Sequence, residues 1–239
     1  MNVVLLTGRK GSESIPGKNV VPVLGRPLVY YPIHAAGQAR LVSATYVSTD
    51  CPKIKEVARA MDVQVIDRPN ELSRADSELV DALLHALDAI GDEIDILVSM
   101  HCNCALHRPG IVDECIDLLT SRPDADSCVS GYTDRSVHPF RTKQIGSDDY
   151  LHPWMEMPDD TSTNRHKLSA CFILDGAVRA MRVDRCFPPE GQLPFTYLGN
   201  SILPIENLPG GDIHSPADIV LAEHWLRHLG WQPPVRTID

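Results

Sequence analysis

The sequence predicts an α/β fold with a mostly parallel sheet and helices on both of its faces. Short apolar runs that suit strands alternate with amphipathic segments that suit helices, which is typical of parallel βαβ units. The first apolar run, Val3 to Leu6, opens into a loop rich in glycine and cations. At 239 residues, the chain is long enough for one domain of this kind with a full core.

The individual elements follow from hydrophobic periodicity and from turn residues. We expect strands at residues 2–7, 44–48, 63–66, 94–98, 126–129 and 169–174, and helices at residues 27–39, 52–61, 77–90, 110–119 and 216–229. Pro27 suits the first turn of its helix, where a missing amide hydrogen costs nothing. The fully apolar run at 94–98 indicates a central strand.

Residues 133–168 break this alternation, since they are polar, carry three prolines and include Trp154 without clear periodicity. We interpret this stretch as an excursion from the sheet rather than as a separate domain. The chain is therefore predicted to form a single domain over residues 1–239.

The composition limits the classes of partner. A net charge of −10 argues against general nucleic-acid binding, which calls for a basic surface. The sequence has neither the roughly eighteen consecutive apolar residues of a membrane span nor the pattern of a secretory signal. Seven scattered cysteines fit reduced thiols better than a disulfide framework. We therefore expect a cytoplasmic protein without nucleic-acid or membrane partners.

The loop after the first strand is the most informative segment of the chain. Three cations, three glycines and two serines lie within eleven residues, namely Gly8, Arg9, Lys10, Gly11, Ser12, Ser14, Gly17 and Lys18. In an open α/β sheet, ligands bind at the carboxyl ends of strands, and glycine lets backbone amides approach an anion. The loop predicts a polyphosphate site, although a solvated basic loop is the alternative. It matches neither the P-loop nor the dinucleotide fingerprint.

Residues 9–19, Arg-Lys-Gly-Ser-Glu-Ser-Ile-Pro-Gly-Lys-Asn, resemble the N-terminal signature of the CMP-sialic acid synthetase family. The likeness continues, in order, through residues 24–28, 47–50, 68–69, 76–77 and 211–214. The resemblance implies a Rossmann-like nucleotidyltransferase sheet that transfers CMP from CTP to an acidic acceptor and releases pyrophosphate. It also implies Mg²⁺ as cofactor and a homodimer in which the excursion reaches the partner subunit.

Two segments depart from the family pattern. Residues 101–107, His-Cys-Asn-Cys-Ala-Leu-His, stand where the family has Gln-Pro-Thr-Ser-Pro-Leu-Arg. Residues 212–214, Asp-Ile-His, stand where it has an Asp-x-Asp pair for the metal. The first departure leaves the acceptor open between a nonulosonic, sialic-type sugar acid and a phosphonate. The second leaves open how many metal ions bind and with what geometry.

The candidate nucleotide residues follow from the charge of the reaction, because nucleotidyl transfer must neutralise phosphate oxygens. We predict that Arg9 and Lys18 act on the triphosphate as catalytic residues. The assisting nucleotide-binding candidates are Gly11, Ser12, Asn19, Arg68, Ser77 and His101. Asn19 is expected to hold the loop or the ribose side. A salt bridge is the alternative role of Arg68, and capping of the following helix is that of Ser77.

Asp212 is the candidate for catalysis through Mg²⁺, which prefers hard carboxylate oxygens. For His214 three roles stay open: a phosphate contact, a transition-metal site shared with Asp212, or a helix cap with Ser215.

The candidate acceptor-binding residues are Asn103, Arg165, Phe195 and Tyr197. A solvated surface is the alternative for Arg165, and core packing is the alternative for the two aromatic residues.

Two rival functions remain at this stage. One is a glycosyltransferase that uses a nucleotide-sugar donor, and the other is a non-catalytic nucleotide-binding subunit. The density of cations in the first loop favours a triphosphate over a diphosphate, because three phosphates carry more charge.

Overall fold

The computed structural model describes residues 1–11, 14–91 and 93–234 of the chain. The strands are β1 (Asn2–Thr7), β2 (Pro22–Val23), β3 (Arg26–Pro27), β4 (Ala44–Thr49), β5 (Gln64–Asp67), β6 (Ile96–His101), β7 (Ser127–Asp134), β8 (Lys143–Ile145), β9 (Leu151–Pro153), β10 (Cys171–Arg182) and β11 (Ile202–Glu206). The helices are α1 (Tyr30–Gly37), α2 (Pro52–Ala60), α3 (Leu79–Ile90), α4 (Ile111–Ser121), α5 (Val183–Cys186) and α6 (Pro216–His228).

Seven strands form the main sheet in the order β11-β7-β10-β6-β1-β4-β5. Strands β6, β1, β4 and β5 pair in parallel, as do β11 and β7, whereas β10 runs antiparallel to both of its neighbours. The predicted α/β class with a mostly parallel sheet is therefore confirmed. Strand β6 lies at the centre of the sheet, as its apolar sequence indicates.

The alternation of side chains along β1 divides the core into two layers. Val4 and Leu6 pack into the layer below α1, α2 and α4, while Val3 and Leu5 pack into the layer below α3. All four side chains are fully buried. A strand covered on both faces in this way reads as a continuous apolar run, and this is why β1 is recognisable from sequence.

The predicted start of the first helix at Pro27 is wrong. Pro27 instead belongs to a small hairpin in which β3 pairs with β2, and α1 begins only at Tyr30. The hairpin turns at Leu24 and Gly25, whose φ angles are 45° and 76°. Two successive residues with positive φ match the twist of a two-residue hairpin, so turn geometry outweighs the preference of proline for a helix start.

The second half of the sheet differs most from the prediction. The strand expected at 169–174 is the twelve-residue β10, and β11 is not predicted at all. A bulge between Leu174 and Arg179 interrupts the apolar alternation of β10, which hides its length. Pro204 lies within β11 and weakens its strand signal, but β11 is an edge strand, where proline is tolerated.

The excursion forms an arm, which we define as residues 135–170, between β7 and β10. Within it, β8 and β9 make a separate two-stranded sheet, and their side chains are exposed. Along the chain as described, the structure contains no helix whose length and apolar character would suffice to cross a membrane.

Replacement of Leu5 by alanine tests the two-layer core. Because the side chain of Leu5 is fully buried between the sheet and α3, we expect the free energy of unfolding to fall by roughly 2–5 kcal/mol. Urea denaturation measures this change. The matched control is Leu193→Ala, whose side chain is 85% exposed and whose loss should cost less than about 0.5 kcal/mol. Equal losses in the two variants would contradict the assignment of the core.

Candidate functional site

A cavity of about 470 Å³ opens at the carboxyl ends of β1 and β6. It brings together eight of the predicted site residues: Arg9, Gly11, Lys18, Asn19, Arg68, Ser77, His101 and Asn103. The other wall of the cavity is the segment 72–79, which leads into α3. Ser12, another predicted residue, lies outside the described part of the chain. Residues that are far apart in sequence thus meet at the edge of the sheet where α/β proteins bind ligands.

The cavity wall carries an excess of positive charge. Its described lining includes the cations Arg9, Lys18, Arg68 and Arg74, against the single carboxylate of Glu78. Burial lowers the pKa of Lys18, the carboxylate of Asp212 opposes this shift, and Arg9 adds to it. Clustered cations that are partly desolvated favour an anionic ligand. Such a ligand offsets both the repulsion between the cations and their loss of hydration.

The first loop is fixed by close backbone contacts. A Cβ atom on Gly8 would lie 2.7 Å from both Cβ and Sγ of Cys102, so only glycine fits there. The side-chain amide of Asn19 donates to the carbonyl of Arg9 at 3.1 Å, which joins the two ends of the loop. Lys10 is exposed and is not among the residues that line the cavity, and its backbone amide donates to Asp50. Of the loop cations, Arg9 and Lys18 therefore face the cavity.

Arg68 is 9% exposed and is held by a serine rather than by a salt bridge. Its Nε donates to the hydroxyl of Ser48 at 3.1 Å, and its Nη2 donates to the carbonyl of Ser48 at 2.7 Å. Among the residues that the structure describes, no carboxylate pairs with this guanidinium. Within the described residues the salt-bridge alternative is therefore wrong, since no carboxylate there pairs with Arg68, which lines the cavity.

The capping role considered for Ser77 is also wrong. Helix α3 begins at Leu79 with Glu78 at the N-cap position and without a side-chain cap. The hydroxyl of Ser77 instead donates to the carbonyl of Glu71 at 2.8 Å and accepts from the amide of Arg74 at 3.1 Å. These bonds close the loop that forms the far wall of the cavity.

The two segments that depart from the family pattern lie side by side. The amide of Ala105 donates to Gly211 at 2.8 Å, and the amide of Ile213 donates to Asn103 at 3.0 Å. Cys104 and Asp212 thus form an isolated antiparallel bridge. Main-chain hydrogen bonds therefore join the segment that carries the metal candidate Asp212 to the segment that follows His101 in the cavity wall.

Asp212 is half-buried, and one oxygen of its carboxylate lacks a partner among the described residues. Its Oδ1 atom is buried and accepts no hydrogen bond from the described residues. Burial and the nearby Asp175 raise the pKa of Asp212, while His214, Arg179 and Lys18 lower it. An unsatisfied hard oxygen beside this cation-lined cavity fits a divalent cation such as Mg²⁺.

His214 is exposed, and its neighbours serve the start of α6. The carboxylate of Asp218 accepts from the backbone amides of His214 and Ser215 at 2.8 and 2.7 Å, completing a capping box with Ser215. Within the described ranges, no group of three His, Cys, Asp or Glu side chains is arranged to hold a metal ion. A metal at Asp212 would therefore need ligands from the substrate or from water in addition to these side chains.

Sequence reasoning missed Gly176 and Arg179, which lie in and after the bulge of β10. A Cβ atom on Gly176 would lie 2.5 Å from Oδ1 of Asp212 and 2.7 Å from Nδ1 of His101, so its absence makes room for both groups. The pair Asp175-Gly176 inside a strand-like run is a typical bulge signal, and it was available in the sequence.

Arg179 is 7% exposed and lies behind His101. Its Nη1 is 2.7 Å from Nε2 of His101 and 3.5 Å from the hydroxyl of Tyr197, and its guanidinium lies 5.8 Å from the ring centre of Phe195. Burial lowers the pKa of His101 to about 3, and Arg179 adds to this shift, so the ring is neutral near pH 7.

The remaining acceptor candidates lie outside the lining of the cavity. Tyr197 is buried in the core layer below α3, and Phe195 is 36% exposed beside Arg179. Arg165 is exposed on the arm. Asn103 does line the cavity, and its amide lies 3.5 Å from the carbonyl of Ile213. Contact of these residues with an acceptor stays a prediction.

A second cavity of about 420 Å³ lies between α1 and the start of α4 and contains none of the predicted residues. Its charged groups are already engaged. Arg108 pairs with Glu114 at 2.5 Å, and Asp113 accepts from the backbone amides of Arg40 and Leu41. The chemistry therefore points to the first cavity.

Comparisons with known proteins found a matching family model and several similar proteins. A family model described as Cytidylyltransferase matches residues 3–144. The N-acylneuraminate cytidylyltransferase A of Danio rerio is 29% identical over 141 residues, which cover 59% of this chain and 32% of that protein. The 3-deoxy-manno-octulosonate cytidylyltransferase of Geobacter sulfurreducens is 28% identical over 147 residues, which cover 61% of this chain and 56% of that protein. The match thus spans 32% to 56% of the length of these relatives.

Two solved structures share the fold. CMP:2-keto-3-deoxy-manno-octonic acid synthetase complexed with CTP has a TM-score of 0.69 at 16% identity, covering 95% of this chain and 99% of that chain. The 4-diphosphocytidyl-2C-methyl-D-erythritol synthase of Anaerococcus prevotii has a TM-score of 0.62 at 12% identity, covering 95% and 98%. At such identities the likeness concerns the fold alone.

The positive wall predicts binding of inorganic triphosphate. Replacing Arg68 by glutamine should weaken this binding roughly tenfold or more, because a charge-assisted hydrogen bond at a buried site is lost. Isothermal titration calorimetry at low salt measures the affinity. The control is Arg40→Gln, because the Arg40 side chain is 90% exposed and is not part of the cavity lining. Equal affinities of the two variants would contradict an anion site at Arg68.

Proposed function

This chain belongs to the cytidylyltransferase family, and on that premise we propose that it transfers CMP from CTP to an anionic sugar acid with release of pyrophosphate. The observation that carries the proposal is the cation-lined cavity, with the unsatisfied carboxylate of Asp212 close to it. The names of the matched relatives support a sugar acid as acceptor, since N-acylneuraminate and octulosonates are both sugar acids.

In the proposed reaction, a hydroxyl oxygen of the sugar acid attacks the α-phosphorus of CTP. One P–O bond forms to the sugar, the P–O bond to the β-phosphate breaks, pyrophosphate leaves, and the hydroxyl proton is released to water. Negative charge builds up on the phosphate oxygens during this exchange. Arg9, Lys18 and Arg68 offer their cations to these oxygens, and the backbone at Gly11 approaches them without steric hindrance.

Mg²⁺ fits beside this triphosphate. The buried Oδ1 of Asp212 has no protein partner among the described residues, and a single hard carboxylate plus phosphate oxygens is a common way to hold Mg²⁺. When bound, the metal supplies charge neutralisation at the phosphates and polarises the reacting phosphoryl group. His214 is exposed and its backbone is used in the helix cap, so we assign the metal to Asp212.

The acceptor compartment lies on the side of His101 and Asn103. Arg179 lies behind His101 as a buried cation, which favours an acceptor that carries a carboxylate. A phosphonate acceptor would satisfy the same charges, so it is included as an outcome of the test below.

The experiment that tests the function is an assay of pyrophosphate release from CTP with Mg²⁺ and a panel of acceptors. We expect release with at least one sugar acid, such as an octulosonate or a sialic acid, and a CMP-linked product by mass spectrometry. If pyrophosphate is released with a phosphonate but with no sugar acid, the acceptor is a phosphonate and the sugar acid is ruled out. CTP binding without release under any condition would favour a non-catalytic subunit.

The loop cations generate a sharper prediction. Because Arg9 and Lys18 face the cavity, the double variant Arg9→Gln/Lys18→Gln should lose roughly 100-fold or more in kcat/KM for CTP. Steady-state kinetics with CTP varied measures this loss. Lys10→Gln is the matched control, since Lys10 lies in the same loop but is exposed and outside the lining, and its kinetics should stay unchanged. Unchanged kinetics of the double variant would refute the phosphate assignment.

We further propose that the chain forms a homodimer through the arm. The arm carries large apolar side chains that the described residues leave exposed: Ile145 is 76% exposed, Tyr150 71%, Leu151 69% and Trp154 64%. Clustered exposure of this kind marks a protein–protein contact surface. The arm also carries Arg165, so a dimer would bring this cation to a partner.

Leu151→Asp tests the dimer. A charge at a buried apolar contact should raise the dimer dissociation constant roughly tenfold or more. Sedimentation velocity over a concentration series measures the constant. As a control, Val220→Asp places the same charge on a side chain of α6 that is 70% exposed. If the unaltered chain stays monomeric at all concentrations, the proposal fails.

A further inference from the structure

The geometry points to Arg179 as a positioning residue that fixes the proton of His101 on Nδ1, so that this N–H faces the bound substrates as a hydrogen-bond donor. The inference rests on the proposed function for the identity of those substrates. The position of the proton on the His101 ring does not depend on that function.

The hydrogen bond between the two side chains decides the tautomer. Nη1 of Arg179 lies 2.7 Å from Nε2 of His101. A guanidinium has five N–H donors, no acceptor and no neutral form at ordinary pH, so Nε2 must supply the lone pair. A neutral imidazole carries a single ring proton, and with Nε2 unprotonated that proton is on Nδ1.

Arg179 cannot easily turn away from the ring. Its Nη2 donates to the carbonyl of Asp175 at 3.4 Å, its Nη1 also approaches the hydroxyl of Tyr197 at 3.5 Å, and the ring of Phe195 lies beside it. Strand β10 sets the position, since Arg179 is paired with Ser99, two residues before His101 on β6. These contacts hold the guanidinium in one orientation.

The carboxylate of Asp175, whose backbone carbonyl Arg179 contacts, is not paired with the guanidinium. The carboxylate of Asp175 is engaged by the hydroxyl of Ser130, the amide of Ala177 at 3.0 Å and the side chain of Asn207 at 2.8 Å. In the described chain, no carboxylate forms an ion pair with Arg179. A cation bound to Nε2 polarises the ring and strengthens the Nδ1–H donor at the opposite side.

The Nδ1 atom faces the reaction side. It lies 2.7 Å from the point where a Cβ on Gly176 would be, and Oδ1 of Asp212 lies 2.5 Å from the same point. The ring lines the cavity, and Nδ1 has no hydrogen-bond partner among residues 1–11, 14–91 and 93–234. The donor therefore suits an anionic oxygen, from either the nucleotide phosphate or the acceptor carboxylate. A protonated Nδ1 cannot bind a metal, which leaves that role to Asp212.

Nitrogen-15 spectroscopy of labelled histidines tests the tautomer directly. In the unaltered protein, we expect His101 to be neutral and protonated on Nδ1 only. In Arg179→Met, the constraint on Nε2 is gone, so a fraction of the ring should become protonated on Nε2. Arg179→Lys, which keeps a donor without acceptor capacity, should preserve Nδ1 protonation. An unaltered protein with its ring proton on Nε2 would overturn the inference.

The same spectra identify the oxygen that Nδ1–H contacts. A shift of the Nδ1 signal on addition of CTP alone assigns the donor to the nucleotide. A shift that needs the acceptor, with CTP present, assigns it to the acceptor carboxylate. No shift with either ligand, although calorimetry shows both bound, would refute a role in substrate binding.

A double-mutant cycle separates positioning from a merely structural role. Arg179→Met should lower kcat roughly 10- to 100-fold with histidine at 101. In the background of His101→Gln the amide donates without needing a fixed tautomer, so the same change should cost less than about threefold. Equal losses in both backgrounds would contradict the proposal.

Arg182→Met is the matched control on the same strand. Arg182 donates to the carbonyls of Ala125 and Leu119, away from the cavity, and its loss should leave kcat and the His101 spectrum unchanged. Should no acceptor give turnover, the proposed function would fail while the spectra still decide the tautomer.

Discussion

The parallel pairing of β1 with β6 is the constraint on which the site depends. Its register places Thr7 opposite His101, and the amide of Cys102 donates to the carbonyl of Thr7 at 3.0 Å. The first loop and the segment after β6 must therefore leave the sheet side by side. Gly8 permits this close exit, because a Cβ there would collide with Cys102. The cavity is the space between the first loop and the segment that follows β6.

Charge is concentrated in this space against the overall balance of the chain. The protein carries a net charge of −10, yet the described lining of the cavity is dominated by cations. Partial burial makes these cations costly without a ligand, and the lowered pKa of Lys18 reflects that cost. A bound anion would offset this cost, so the cavity favours anionic ligands although the chain as a whole carries negative charge.

The predictable part of the site is the part encoded by local sequence. Glycine and cations close together after a buried strand indicate a phosphate loop, and both Arg9 and Lys18 line the cavity, while their action on a triphosphate stays a prediction. The start of α1 was misplaced because a two-residue turn at Leu24 and Gly25 takes Pro27 into a hairpin. Arg179 was missed for a different reason. It reaches His101 only through the antiparallel strand β10, 78 residues further along the chain, and no local pattern reveals that pairing.

The two segments that depart from the family pattern, residues 101–107 and 212–214, are structurally connected. Main-chain hydrogen bonds join residues 103–105 to residues 211–213. A substitution that moves the backbone of one segment therefore also moves the other. A glutamine amide always offers a donor, whereas a histidine offers one at Nδ1 only if its proton is held there. Histidine at position 101 therefore requires a second group that controls its tautomer, and the buried guanidinium of Arg179 meets that requirement. Gly176 supplies the space in which the ring and the carboxylate of Asp212 approach the same point, so the altered motifs and the bulge form one chemical unit.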